Sequence, residues 1–297
     1  QRRLISILKH PQQFPSSTTQ LLYRILPSLL FFTTVTSFRF FPRKTIRTFG
    51  TEISNRLKQV GGDISMNDNN DTTVNTSVRL DSPSAQRNKD VIWNVLELNV
   101  FSTWKQSDGN EFRVLEIAAG AGVHSHAFCQ KLLEKQKTEN FPSVHWMPTD
   151  PQDESRRSIA AYRGDVPDVL HPPLALSLDE NGIVENDLSL ESGTFDLIVC
   201  INMIHISPWE ATIGLMKEAQ RLLKPGKGIL YCYGAYREGG TAVESNLNFE
   251  QWLKSLDSRY GLRNLEDVVA LAETFDMELQ RRIEMPANNL SVLYRRK

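Results

Sequence analysis

The residue types and spacings that could do chemistry fall at three places in the sequence. The first is Glu116-Ile117-Ala118-Ala119-Gly120-Ala121-Gly122-Val123-His124, directly after a short apolar run. Glycines at 120 and 122 let backbone come close to a ligand, and amides facing a helix start favour an anion. A dinucleotide fingerprint would place a third glycine at position 125, where Ser125 stands. A tight strand–helix turn without a ligand is the plain alternative. The second place is Met147-Pro148-Thr149-Asp150. A carboxylate here suits the vicinal hydroxyls of a ribose, from which it can accept two hydrogen bonds. The alternative is a solvated loop aspartate, and on the ribose reading too Asp150→Ala is expected to weaken ligand binding far more than the fold, since a strand-end loop tolerates substitution. Asp179, further on, could accept from an adenine amino group, although Asp165, Asp168 and Glu180 lie nearby. The third place is Cys200-Ile201-Asn202-Met203-Ile204-His205. Asn202 could meet a nucleotide cofactor and His205 a substrate, though a lone histidine is more often a packing residue.

These positions need a scaffold that brings strand ends together, and the pattern supplies one. Apolar residues at helical spacing (Val91, Ile92, Val95, Leu96, Leu98) follow Arg87-Asn88-Lys89. A strand is expected over 113–118, a helix over 127–135, a strand over 144–147, a helix over 154–162 and a weaker strand near 174–178. The run Phe195–Ile201 is continuously apolar apart from Asp196, as in a strand buried on both faces of a parallel sheet. Ser207-Pro208-Trp209-Glu210 is expected to open a helix, Ser207 capping it and Glu210 completing a capping box. Lys224-Pro225-Gly226 stops that helix. A strand over 228–233, a helix over 265–275 and strands over 277–284 and 290–295 complete the pattern. Alternating strands and helices imply an α/β doubly wound parallel sheet, with ligands beyond the carboxyl ends of the strands.

With these motifs in place, the domain resembles a class I S-adenosylmethionine-dependent methyltransferase. The resemblance rests on E-x-A-x-G-x-G after a first strand, an acid ending the second, and Leu222-Leu223-Lys224-Pro225-Gly226 before the fifth. More narrowly, residues 85–297 are similar to the methyltransferase-like 26 family. The stretches that carry this are Arg87-Asn88-Lys89-Asp90, Cys200-Ile201-Asn202-Met203, His205-Ile206-Ser207-Pro208, Tyr233-Gly234-Ala235-Tyr236, Ser245-Asn246, Gly261-Leu262-Arg263 and Met285-Pro286-Ala287-Asn288-Asn289. Ala121 between the loop glycines and His124 two residues after the second glycine also fit that pattern. The departure lies around Leu176-Ser177-Leu178-Asp179, which bears on the adenine contact.

The resemblance implies a Rossmann-like sheet of seven strands with the last antiparallel, and S-adenosyl-L-methionine as cofactor. It implies that Glu116 orients the cofactor's amino-acid end through the loop, that amides near Gly120 and Gly122, with His124 beside them, line it, and that Asp150 holds the ribose. Arg87 and Asn88 would close over the site and meet the carboxylate. Asn202, His205, Tyr233 and Tyr236 would line the acceptor pocket, with His205 and Tyr233 the catalytic candidates. Methyl transfer from a sulfonium is an in-line displacement whose main demand is positioning, so neither a triad nor a metal is required. A non-catalytic cofactor-binding or interaction protein is a second reading, since fold does not dictate function. A third, an NAD(P)-dependent oxidoreductase, is weakened by Ser125 and by the gap from Gly122 to Asp150, longer than the ~20 residues such a site expects.

Composition narrows the rest. The chain has 297 residues with 34 Lys+Arg against 35 Asp+Glu and three cysteines, too few and too scattered for a metal or disulfide framework. A reducing, intracellular compartment follows. Residues 1–51 carry eight Lys/Arg and no acid. Residues 1–60 therefore read as an organellar transit peptide, for a mitochondrion or chloroplast. The competing reading is a leader ahead of Met66 that does not belong to the natural protein, with a cytoplasmic location. Its uncharged run between Arg24 and Arg39 is broken by Pro27 and shorter than the ~20 apolar residues of a membrane span. Residues 61–84 lack aromatics and are rich in Asn, Asp, Ser and Thr, a disordered linker by composition. The domain expected over 85–297 is acidic. With no basic stripe, its methyl acceptor is expected to be a small molecule or protein rather than nucleic acid.

Overall fold

The computed structural model describes residues 79–105, 109–184 and 190–297. The leader expected over 1–60 and the linker up to residue 78 lie outside the described residues. The first helix, α1 (Pro83–Asn99), starts two residues ahead of the expected boundary, with Pro83 in its first turn and the Ser82 hydroxyl accepting from the Ala85 amide. Arg79 and Leu80, placed in the linker by composition, are already tied down. Arg79 pairs with Asp165 at 2.6 Å and lies over the Tyr162 ring, and the Leu80 amide donates to the Ser158 hydroxyl at 2.9 Å.

Six strands form the main sheet: β1 (Glu111–Ile117), β2 (Ser143–Pro148), β5 (Leu197–Ile201), β6 (Ile229–Gly234), β9 (Met277–Met285) and β10 (Asn289–Arg296). Their order is β2-β1-β5-β6-β10-β9. The first four run parallel, while β10 is antiparallel to both β6 and β9. This is the Rossmann-like methyltransferase fold with its last strand reversed. The seventh strand is reduced to two parallel bridges on the outer side of β2, Trp146 to Leu170 and Thr149 to Leu174. Pro172 and Pro173 between them lack amide donors, which prevents a continuous ladder there. Helices α2 (Val123–Thr138), α3 (Asp153–Arg163), α4 (Trp209–Leu222), α5 (Glu244–Leu256) and α6 (Leu265–Thr274) follow.

The alternating side chains of β1 serve two cores. Phe112 and Val114 join α1 and α2 through Ile92, Trp93, Phe128, Leu132 and Trp146. Leu115 and Ile117 join α4 and α6 through Leu215, Met216, Ala219, Val268 and Ala272. β5 is buried at all five positions, as its apolar run predicts.

Two local expectations fail. Ser207 does not cap α4: its hydroxyl donates back to the Met203 carbonyl at 2.9 Å, and Pro208 occupies the cap position without a side-chain bond. Leu178 and Asp179 belong to a separate hairpin, β3 (Leu178–Asp179) with β4 (Gly182–Ile183), and a second short pair joins β7 (Tyr236–Arg237) to β8 (Arg263–Asn264). The hairpin packs on α4, where Gly214 leaves no room for a Cβ against the Asp179 carbonyl.

Candidate functional site

The turn after β1 is built from left-handed backbone. Ala118 (φ 54°), Gly120 (φ 57°) and Gly122 (φ 84°) all have positive φ. For Ala118 this is an uncommon, strained conformation of the kind held at ligand sites. The two glycines serve different ends. A Cβ on Gly122 would lie 2.9 Å from Ile159 Cγ1, so this glycine lets α3 approach the start of α2. A Cβ on Gly120 would meet nothing within 4 Å. The loop is thus closed on its α3 side and open above Gly120, the space a ligand needs.

Asp150 ends β2 and is only 5% exposed, so it is not a solvated loop residue. Its Oδ2 accepts from the Gly120 amide at 2.8 Å and its Oδ1 from the Gln152 amide at 2.9 Å. The Ala119 amide donates to the Thr149 carbonyl at 2.8 Å, stitching the two strand ends together. Each Asp150 oxygen has a further lone pair for a hydroxyl of a bound ligand. Behind them, Ser158 accepts from the Leu80 amide and donates to the Ala121 carbonyl at 2.7 Å. One hydroxyl therefore joins the segment before α1 to the glycine loop.

Glu116 lies beneath the loop, fully buried. Its Oε2 accepts from Ser125 Oγ at 2.5 Å and Trp146 Nε1 at 2.7 Å. Burial, against these two donors, raises its pKa to about 7. Ser125, which stands where a dinucleotide loop has glycine, serves as the Glu116 donor. His124 is also buried. Burial and then the Lys89 charge lower its pKa to about 4, so the ring is neutral near pH 7 and can donate through Nε2 to Asn88 Oδ1 at 2.7 Å. This bond ties the middle of α1 to the start of α2. Arg87, beside Asn88, is exposed and makes no ion pair among the described residues.

The ends of β5 and β6 carry the remaining candidates. Asn202 is left-handed (φ 61°) and its amide donates to the Tyr233 carbonyl at 2.8 Å. The amide side chains of Asn88 and Asn289 favour the Tyr233 phenolate, while burial raises that hydroxyl above its usual range. His205 is 4% exposed, and a Cβ on Gly234 would lie 2.9 Å from its Cε1 and Nδ1. Burial, then Arg263, lowers the His205 pKa to about 4. Met285-Pro286-Ala287-Asn288-Asn289 forms the β9–β10 turn, with Ala287 (φ 58°) and Asn288 (φ 56°) left-handed. The turn is pinned to α5, since Asn246 donates to the Asn288 carbonyl at 2.9 Å and Asn288 to Ser245 Oγ at 3.2 Å.

Arg87, Asn88, Gly120, Gly122, His124, Asp150, Asn202, His205 and Tyr233 thus belong to the strand ends or to α1, which is bonded to them, with Glu116 below the loop. Two candidates are elsewhere. Asp179 is in the hairpin on α4, its Oδ1 accepting from the Asn181 amide at 2.7 Å. Tyr236 is buried in the second core beside Cys232 and Tyr294, its hydroxyl unpartnered among the described residues. Sequence reasoning missed Ser158 and α5. No motif marks Ser158, whose role depends on partners 37 and 78 residues away.

A model of the DUF938 family, described as proteins of unknown function, matches residues 79–296. The chain belongs to the DUF938 family. The DUF938 match begins at Arg79, the residue that pairs with Asp165. Among solved structures, the chain is similar to an O-methyltransferase family protein from Burkholderia thailandensis, at 16% identity and a TM-score of 0.54 over 72% of this chain and 56% of that one. It is similar to the CurJ carbon methyltransferase at 18% identity and a TM-score of 0.51, over 74% of this chain and 57% of that one. It is also similar to the PH0226 protein of Pyrococcus horikoshii, at 17% identity and a TM-score of 0.50, over 76% and 97%. The chain spans little more than half of the first two, and at these identities the likeness establishes the fold of the DUF938 domain. No helix among the described residues is long and apolar enough to cross a membrane.

Proposed function

We propose that this chain is an S-adenosylmethionine-dependent methyltransferase. The observation that carries the reading is the pairing of an open left-handed turn at Gly120 with the buried Asp150 carboxylate bonded to its amide. Three features fit the cofactor. The space above Gly120 admits its amino-acid portion, Asp150 keeps acceptor capacity for its ribose hydroxyls, and Arg87, a cation without an ion pair among the described residues, is available for its carboxylate. When bound, the cofactor supplies a methyl group already activated by positive sulfur. The protein's part is then to hold and orient. Asp150 sets the loop and the ribose together, Glu116 fixes the start of α2 through Ser125, and Asn88–His124 holds α1 against the site. A positioned in-line displacement gains up to roughly 7–11 kcal/mol over the free reactants.

Kinship with the methyltransferase-like 26 family is part of this proposal. Its support is that several residues carrying that resemblance, Asn88, His124, Tyr233, Ser245, Asn246, Asn288 and Asn289, are linked to one another around the strand ends. The acceptor is a small molecule or protein rather than a nucleic acid, on the acidity of the domain. Calorimetric titration tests the reading. S-adenosylmethionine and S-adenosylhomocysteine should both bind and NAD should not, and binding of NAD alone would reverse the assignment.

A further inference from the structure

Helix α5 interrupts the strand–helix alternation, and its N-terminal half lies over the carboxyl end of β6 and the start of β10, through Asn246 and the β9–β10 turn. Six large apolar side chains are exposed among the described residues, and two of them, Trp252 and Leu256, stand one turn apart on one face of α5. The buried charge of α5 is already used, because Glu250 pairs with both Arg237 and Lys254. An exposed indole with a leucine one turn away offers an apolar ligand a surface on α5.

The surface connects to the strand-end site through aromatic rings. Trp252, 55% exposed, stacks on Phe249 with centroids 5.8 Å apart and planes at 19°. Phe249 meets His205 edge-on at 5.4 Å. His205 itself is held from three sides: Gly234 lies against its ring, the Gly261 amide donates to its carbonyl at 3.0 Å, and Arg263 donates to the carbonyls of Ile204 and Ser207. Its ring nitrogens make no hydrogen bond among the described residues. A neutral, buried imidazole left unpartnered at a strand end is placed to receive a proton.

We propose that α5 is the acceptor platform, and that the acceptor is a planar aromatic small molecule that stacks on Trp252 and Phe249 and presents a hydroxyl or N–H to His205. The inference rests on the methyltransferase reading. In the transfer, the acceptor's heteroatom uses a lone pair to bond the methyl carbon. The carbon–sulfur bond breaks with its electron pair left on the cofactor sulfur, and the heteroatom's proton passes to a ring nitrogen of His205. Saturated and highly charged acceptors gain nothing from this platform.

A matched pair of probes tests it: 2-naphthol, which is planar, and decahydro-2-naphthol, its saturated counterpart. Each is titrated by calorimetry into the full chain saturated with S-adenosylhomocysteine. The expected result is that 2-naphthol binds at least about tenfold tighter, and that Trp252→Leu weakens it roughly 3- to 10-fold, the effect of one stacked ring. Cofactor affinity and the unfolding midpoint of that variant should not change, since Trp252 is mostly exposed. Equal binding of the two probes, or a Trp252→Leu variant that binds 2-naphthol unchanged, overturns the platform. Self-association of the chain that Trp252→Leu abolishes overturns it as well, because the surface is then a protein interface. Failure of S-adenosylhomocysteine to bind removes the cofactor reading instead. Selective, Trp252-dependent binding of 2-naphthol without it still upholds the platform.

Discussion

Asp150 holds two backbone amides and has capacity left for a ligand, so its removal acts twice. Asp150→Ala leaves the Gly120 and Gln152 amides without a partner, which should cost about 1–3 kcal/mol of stability in urea unfolding. Loss of charge-assisted bonds to ribose should also weaken S-adenosylhomocysteine binding about 10- to 150-fold by calorimetry. Asp153→Ala is the control. Asp153 is exposed and, among the described residues, pairs with Arg156 and Arg157 on its own helix, so both quantities should stay near wild type. Intact cofactor affinity in Asp150→Ala would take this residue out of the site. Gly234→Ala tests the other half of the strand ends. The added methyl falls 2.9 Å from His205, so the ring or β6 must shift. We expect methyl transfer to fall at least about tenfold, stability to drop ~1–3 kcal/mol, and cofactor affinity to hold. Asp150 was legible as an acid ending a strand, but the low cost of replacing it expected from sequence does not survive. Its burial depends on left-handed turns at Ala118 and Gly120, thirty residues earlier, which no local pattern of Asp150 reveals.

At the scale of elements, the segment before α1 is the part of the fold that composition misread. Residues 79–84 read by composition like the linker they follow, yet Arg79 and Leu80 bond to residues far along the chain, Asp165, Tyr162 and Ser158. A chain starting at Arg79 should unfold at the same denaturant concentration as a longer one. A chain starting at Ala85 loses the Ser82 cap, the Arg79 pair and the Leu80 bond, and should be less stable by about 2 kcal/mol. Equal stability of the two would make the segment dispensable. Helix α5 escaped for a different reason. Phe249, Trp252, Leu253 and Leu256 do stand at helical spacing, but the stripe is short, and the structure buries Asn246, Glu250 and Leu253 while Trp252 and Leu256 face solvent. β1, β5 and α4 were legible because each carries a regular apolar pattern into a core. The third strand was misplaced because Leu174–Leu178 is apolar enough for a strand but is held by single bridges and a hairpin.

At the scale of the whole molecule, three deeply buried titratable groups contribute to the response to acid. His124 and His205 have pKa values lowered to about 4 by burial, against 6.5 when unfolded. Between those values the unfolded chain binds more protons at each histidine, so both lose stability as pH falls from about 6.5 towards 4. Glu116 works the other way. Its pKa is raised from 4.5 to about 7, so the native state binds the extra proton. Its contribution is fully present below 4.5 and lost as pH rises through 7. From pH 6.5 down to 4.5 two opposed titrations leave a net uptake of about one proton on unfolding. These three groups therefore contribute a fall of roughly 1.4 kcal/mol per pH unit, and His126 and His171, both lowered chiefly by burial, steepen it further. The same bookkeeping separates the groups by mutation. Glu116→Gln removes the opposing carboxyl and should steepen the slope by about one proton, while His124→Gln should flatten it by about one. Urea unfolding at half-unit steps from pH 4.5 to 6.5 reads these slopes directly. Parallel curves for wild type and Glu116→Gln would mean that Glu116 is ionised throughout, with Ser125 and Trp146 stabilising a buried anion beneath the glycine loop rather than an acid.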